Sequence, residues 1–477
     1  MTALPRTRTG LPIPWRYIVP TSAIGVIYGY DVGSSAAASL YLPGDWGLSP
    51  EQFATINSVL GLGMLAGALL GSRVANALGR RGALVMVTAI FTVFALCSGL
   101  APNMPVLLSC RFMLGVGIGL STVAAPIFVG ETSPTNRRGG LIAMYQISNS
   151  VGIILAYLIG YALSTTESWR LMLGLGAIPA AAVLFALLAL RSDTPTWYVM
   201  KSRDSQALST LESLGWSGAD AIGEVERLKD TLLRKSSTAR RGLDAIRLLF
   251  RPPYRRAFFF VVGFGALAKL TGINALVYYQ PLIFEQLGLK GIAAKLLLPG
   301  IVTIFSSLAT LLAIMLVDKI GRKPMLVTGL CLMLLADIVI ATIFATGTDN
   351  QLLVVIGFAG FALFQFGFGM SFGALIWVYS AESLPGRLRA TGASIALTSD
   401  FLINVIIAQV FLSIMTAVGG SWTFLGLGFM ALLAIVFSVK LAPETKGHAL
   451  DEIAGYWENG GAWPAAAGTE ASARPTK

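Results

Sequence analysis

A chain of 477 residues that is 55% hydrophobic and only 12% charged lacks the polar residues needed to clothe a water-soluble fold of its size. Its formal net charge of +11 would suit a nucleic-acid binder, but the cations recur in separate short segments instead of forming one basic region, which excludes that class. With three cysteines inside apolar stretches (Cys97, Cys110 and Cys331) and a single histidine, His448, the chain offers neither a disulfide framework nor a His-based metal or catalytic centre. No cofactor and no metal are expected.

Apolar stretches of roughly 20 residues, each long enough to cross a bilayer as a helix, recur about twelve times and predict an all-α membrane protein. The first covers roughly residues 16–40 and contains Gly29-Tyr30-Asp31. The second and third flank Gly79-Arg80-Arg81. The fourth begins at Arg111, continues through Gly115, Gly117 and Gly119, and ends in Glu131-Thr132-Ser133-Pro134 followed by Arg137-Arg138-Gly139. An arginine heading an apolar helix is costly in lipid, so Arg111 should face a polar interior and have a partner. The glycines should let another helix come close. The fifth span starts near Gly140 with Gln146 and Asn149, and the sixth ends near Leu190.

Residues 191–254 break the apolar pattern. Residues 207–214 and 221–234 read as short amphipathic helices, followed by a basic run. A second run of spans starts near Arg255. It carries Lys269, Gly272-Ile273-Asn274 and Tyr278-Tyr279-Gln280-Pro281, then Asp318 to Lys323, then Trp377 and Ala381-Glu382-Ser383-Leu384-Pro385 leading to Arg389, then Asp400 and Asn404. The last span ends near Leu441, and beyond Tyr456 the Ala-, Gly- and Thr-rich tail predicts disorder. The expected domains are two six-helix bundles at 1–190 and 255–445, a helical linker at 191–254 and a tail at 446–477.

Two features support a duplicated architecture. The pair Glu131…Arg138 recurs as Glu382…Arg389, the acid preceding the base by seven positions in each with a proline inside, which reads as a helix end, a loop and a new helix start. Gly79-Arg80-Arg81 recurs as Gly321-Arg322-Lys323. The basic segments fall in alternate connections, whereas those near Asp45, Asn103, Glu167 and Asp349 are poor in lysine and arginine. This asymmetry places both termini in the cytoplasm.

These motifs, with Pro443-Glu444-Thr445-Lys446-Gly447, resemble the sugar porter family of the major facilitator superfamily over nearly the whole chain. The resemblance implies two six-helix bundles around a central site that opens alternately to either side. It has gaps. The family's Pro-Glu-Ser-Pro-Arg after the sixth span is Ser192-Asp193-Thr194-Pro195-Thr196, the Gly-Pro before the tryptophan is Gly373-Ala374, the seventh-span glutamine pair is Ala268-Lys269, and an amide of the eleventh span is Asp400.

Asp31 inside the first span is pulled between desolvation, which favours the protonated form, and a neighbouring cation, which favours the charged one. The resemblance makes Asp31 with Arg111 the proton-coupling pair; a static buried ion pair is the plainer alternative. It also assigns Gln146, Asn274 and Asn404 to sugar hydroxyls, Phe368 and Trp377 to an aromatic wall, and Tyr28 and Tyr278 to gating. Ser306, Lys269 and Asp400 occupy the remaining binding positions. Amides for hydroxyls and flat apolar faces for C–H groups suit a sugar, although amides also glue membrane helices together. Lys269 and Asp400 either pair with each other, the reading preferred here, or Lys269 meets a substrate carboxylate. Arg80, Arg81, Glu131, Arg138, Arg322, Glu382 and Arg389 sit at helix ends, where they set topology and cap helices; the resemblance adds a charge latch between the bundles. Asp337 matches no site.

The expected function is therefore proton-coupled import of a monosaccharide, hexose or pentose, by a monomer in the plasma membrane that contacts lipid, sugar and proton but no nucleic acid. Import of a sugar acid or polyol, passive uniport, drug-like export and nutrient sensing are the rivals. No nucleophile–base pair marks an enzyme.

Overall fold

The computed structural model describes residues 12–134, 137–239, 247–347, 350–384, 386–448 and 452–463. Among these residues the regular structure is helical. Ten helical stretches are long and apolar enough to cross a membrane. One of them, within Gly386–Leu441, breaks at Gly419 (φ 82°) and so supplies two spans. The helix Trp15–Ala38, whose apolar run is interrupted by Asp31, is the remaining one and makes twelve.

The first bundle comprises Trp15–Ala38, Pro50–Leu78, Arg80–Gly99, Met104–Thr132, Arg138–Ala162 and Trp169–Ala189, taken below as the first to sixth spans. The second comprises Arg255–Gln286, Ile292–Ile320, Arg322–Thr346, a tenth span running from Gln351 to Glu382, and the two parts of Gly386–Leu441. Small residues hold the helices close, as the sequence predicts. A Cβ on Gly115 or Gly119 would lie 2.1 Å from a carbonyl oxygen of the second span (Leu60 or Met64), so the second and fourth spans touch backbone to backbone. The first and fifth spans meet in the same way at Gly29, where a Cβ would lie 1.8 Å from the Asn149 carbonyl.

Two spans are discontinuous where they border the centre. The seventh breaks between Arg255–Leu270 and Ile273–Gln286, with Gly272 left-handed at φ 90°. The tenth passes through a π-turn at Gly369–Gly373. Irregular backbone at membrane depth is tolerated where it lines a cavity rather than lipid.

The linker forms three helices, Pro195–Met200, Asp204–Ser213 and Gly218–Ala239, packed through Tyr198, Leu211 and Val225. Its last helix is longer than the sequence pattern suggests. The tail needs a correction. Order extends past Tyr456: helix Ile453–Glu458 packs on the second bundle, and the fully buried Trp457 donates Nε1–H to the Ser383 carbonyl at 2.8 Å. A buried indole with its one donor satisfied outweighs the helix-breaking composition around it. The rest of the predicted tail, from 464 on, lies outside the described residues.

Candidate functional site

Arg111, at the second turn of the fourth span, and Asp31, in the middle of the first, are both buried, and Arg111 Nη1 donates to Asp31 Oδ1 at 2.7 Å. Each charge is the other's compensation, because a lone ion at this depth would cost several kcal/mol. Asp31 Oδ2 and Arg111 Nε and Nη2 have no further hydrogen-bond partner among the described residues. The pair is therefore sealed but not saturated.

Between the bundles lies a cavity of about 1180 Å³, counting the part open to solvent. Gln146, Lys269, Asn274, Ser306, Phe368 and Asp400 all line it, as do both tyrosines expected to gate it, Tyr28 and Tyr278. Asn404 is not part of the lining: it is fully buried, beside Gly61 of the second span and next to the cavity-lining Tyr278. The side chains of Trp377, Arg138 and Arg389 lie outside the described part, although Gly373 and Ile376 beside Trp377 line the cavity.

The wall also contains Asn149, Thr303 and Gln365, which the sequence reading left unassigned. Each lies three residues from an assigned one (Gln146, Ser306 and Phe368), hence on the same helical face one turn away. That periodicity was the available signal.

The break in the seventh span sets the most unusual group. Lys269 ends one helical segment and Asn274 begins the next, and across the break Lys269 Nζ donates to Asn274 Oδ1 at 3.0 Å. The same ammonium lies 3.6 Å from Asp400 Oδ2 on the eleventh span. Asn274 Nδ2 in turn reaches the Tyr278 hydroxyl at 3.4 Å.

At the membrane ends the two halves carry the same construction. Arg80 clasps Glu131 with two bonds of 3.1 Å, and Arg322 clasps Glu382 with two of 3.0 Å. Asp193 accepts the Arg80 and Arg81 amides at 3.0 Å each, and Glu444 accepts those of Arg322 and Lys323 at 3.0 Å each. Asp193 thus fills a role that the altered Ser-Asp-Thr-Pro-Thr sequence left in doubt. The Arg81 guanidinium donates to the Leu187 and Leu188 carbonyls rather than to an acid. Among the described residues, every ion pair in these clusters joins residues of one bundle. On the opposite face the bundles are closed together: Ser58 Oγ donates to Gln409 Oε1 at 2.6 Å, Phe53 meets Tyr279 edge to face at 6.0 Å, and Tyr157 OH reaches the Val277 carbonyl at 3.5 Å. Asp337 is fully buried in the ninth span, and neither carboxyl oxygen has a hydrogen-bond partner among the described residues.

Two six-helix bundles, a polar cavity between them and broken helices at its wall define a multi-pass membrane transporter of the major facilitator fold. The fold matches the xylose transporter XylE from E. coli in an inward open conformation, with a TM-score of 0.79 at 23% identity over 92% of this chain and 99% of that one. The "Sugar (and other) transporter" family model matches residues 18–457, and the chain belongs to that family. It is 32% identical to the galactose-proton symporter of Escherichia coli K12 over 90% of this chain and 91% of that protein. It is 30% identical to the glucose transporter GlcP of Staphylococcus epidermidis, covering 90% and 94%, and 29% identical to probable polyol transporter 6 of Arabidopsis thaliana, covering 93% and 94%. Family and fold are those of transporters rather than enzymes.

Proposed function

We propose that the protein imports a monosaccharide together with a proton by alternating access. The observation that carries this reading is the arrangement at the centre: a cavity walled by amides, hydroxyls and Phe368, with the sealed Asp31–Arg111 pair in the helices that form its first-bundle side. Amides and hydroxyls match a sugar's alternating donors and acceptors, and an aromatic ring matches its C–H face. The names of the relatives, galactose-proton symporter and glucose transporter among them, point the same way.

Asp31 is the group to take up and release the proton. When it is protonated, Arg111 loses its counter-charge and the fit between the first and fourth spans changes, so one proton biases the equilibrium between global states. Gln146, Asn274, Ser306 and Phe368 hold the sugar, with Asn149 and Gln365 added from the cavity wall. Tyr28 and Tyr278 gate it. The basic connections put the termini in the cytoplasm; the closed face is then external and this arrangement faces inward. The arginine–glutamate clusters, each within one bundle in this arrangement, latch the bundles together when the external face opens.

The test is uptake of labelled sugars into proteoliposomes with and without a pH gradient. Wild type should accumulate sugar against its gradient only when the gradient is inward in protons. Asp31→Asn should lose accumulation and keep exchange of internal for external sugar. Undiminished proton-dependent accumulation by Asp31→Asn would falsify the assignment.

A further inference from the structure

Two residues of the cavity wall carry formal charge among the described lining: Lys269 and Asp400. They face each other without saturating each other. Their separation of 3.6 Å is an ion-pair distance, longer than a good N–H···O bond. The ammonium has three donors, one of which goes to Asn274 at 3.0 Å. Asp400 is 4% exposed, and its Oδ1 has no hydrogen-bond partner among the described residues, although a buried carboxylate oxygen ordinarily needs a donor. Lys269 projects further into the cavity, its side chain 17% exposed.

We infer that Lys269 and Asp400 act as a neutralised pair that sets the cavity's charge selectivity, admitting uncharged polyhydroxylated solutes and rejecting both sugar acids and amino sugars. The inference rests on the transporter reading above and narrows its substrate class. A hydroxyl is donor and acceptor at once, so it can accept from an N–H of Lys269 and donate to the Asp400 carboxylate at the cavity wall. An anionic solute that approaches Lys269 brings its charge toward Asp400, and a cationic one brings its charge toward Lys269. Either meets a like charge in a poorly screened site, where the repulsion is large. The other charges nearby, Asp31 and Arg111, are already paired and do not line the cavity.

Removing one member should therefore convert the selectivity in a direction set by the charge that remains. The measurement is competition against uptake of a labelled neutral hexose by purified protein in liposomes, with glucose, glucuronate and protonated glucosamine as competitors. In wild type only glucose should compete. Asp400→Asn leaves the ammonium uncompensated and should raise the affinity for glucuronate relative to glucose about tenfold, a change of about 1.4 kcal/mol. Lys269→Gln should do the same for glucosamine. The double variant should return to the wild-type order. Should a single variant fail to fold, the swapped pair Lys269→Asp with Asp400→Lys keeps the net charge and should keep the neutral preference. Stronger competition by glucuronate than by glucose in wild type makes Lys269 a carboxylate receptor and overturns the inference, as do single variants that retain the wild-type order while still carrying the hexose. If no hexose is carried by wild type at all, the sugar-carrier reading falls first and takes this one with it.

Discussion

The two halves of the molecule are alike at their ends and unlike at their centres. In each half an arginine clasps a glutamate, and a carboxylate farther along the chain caps the next span, Asp193 in one and Glu444 in the other. Even the threonine beside each cap is used alike, Thr194 donating to Glu131 and Thr445 to Glu382. The central pairs have nothing of this equivalence. Asp31–Arg111 is short, sealed and away from the cavity; Lys269–Asp400 is longer and forms part of the wall. Helix ends solve one problem, the unsatisfied amides of a span's first turn, and the same solution serves twice. The centres face different demands, a sealed charge on one side and a solute on the other.

The contrast between the central pairs predicts the largest effect. Arg111→Ala strips the buried Asp31 of its counter-charge and should destabilise the protein by about 3–5 kcal/mol. Lys269→Ala should cost less, about 1–3 kcal/mol, because the Lys269 side chain is 17% exposed against 1% for Arg111, so cavity water can take the place it vacates beside Asp400. Thermal unfolding in detergent compares the two, and equal losses would erase the distinction between sealed and cavity-lining pairs.

Next come the clasps. Arg80→Ala and Arg322→Ala each remove charge-assisted bonds worth about 1.5–3 kcal/mol. The Arg80 variant should suffer more, since the Arg80 and Glu131 side chains are 7% and 17% exposed against 12% and 26% for Arg322 and Glu382. Both should slow transport more than they weaken sugar binding, because they stabilise a global state and not a ligand. Titration of sugar against tryptophan fluorescence, alongside initial uptake rates, separates the two quantities.

The caps test the equivalence itself. Asp193→Ala and Glu444→Ala should lower stability by similar amounts, about 0.5–2 kcal/mol each, in line with other helix caps. A large inequality in melting temperature would mean that the two carboxylates are not counterparts. The backbone makes the same point. Gly79 (φ 90°) and Gly321 (φ 105°) are both left-handed, and a Cβ there would lie 2.1 Å from Asp193 Oδ2 and 2.7 Å from Glu444 Oε2, so Gly79→Ala and Gly321→Ala should both be destabilising.

The smallest effect concerns the closed face. Ser58→Ala removes one hydrogen bond to Gln409, worth about 0.5–1.5 kcal/mol, and should raise the fraction of molecules open on that face. Distance distributions between spin labels at the ends of the second and eleventh spans would report the shift.

The sequence by itself determined the spans, the duplication and the partnership of Arg111 with an acid. Those follow from local rules: a bilayer requires about 20 apolar residues per helix, and an arginine inside one requires a counter-charge. It also identified eight of the cavity residues, from Tyr28 to Asp400. Only the tertiary structure decided the rest. Asn404 reads like a binding amide but is buried behind the cavity wall, beside Gly61 and the cavity-lining Tyr278, because the crossing of the second and eleventh spans, and not residue type, decides which side chains of a helix meet the cavity. Asp193 reads as a lost motif but caps the third span, because a cap requires a carboxylate within reach of two amides and not a particular neighbouring sequence. Lys269 and Asp400 lie more than a hundred residues apart, and their 3.6 Å approach depends on how the broken seventh span packs against the eleventh, a distance that no local pattern encodes.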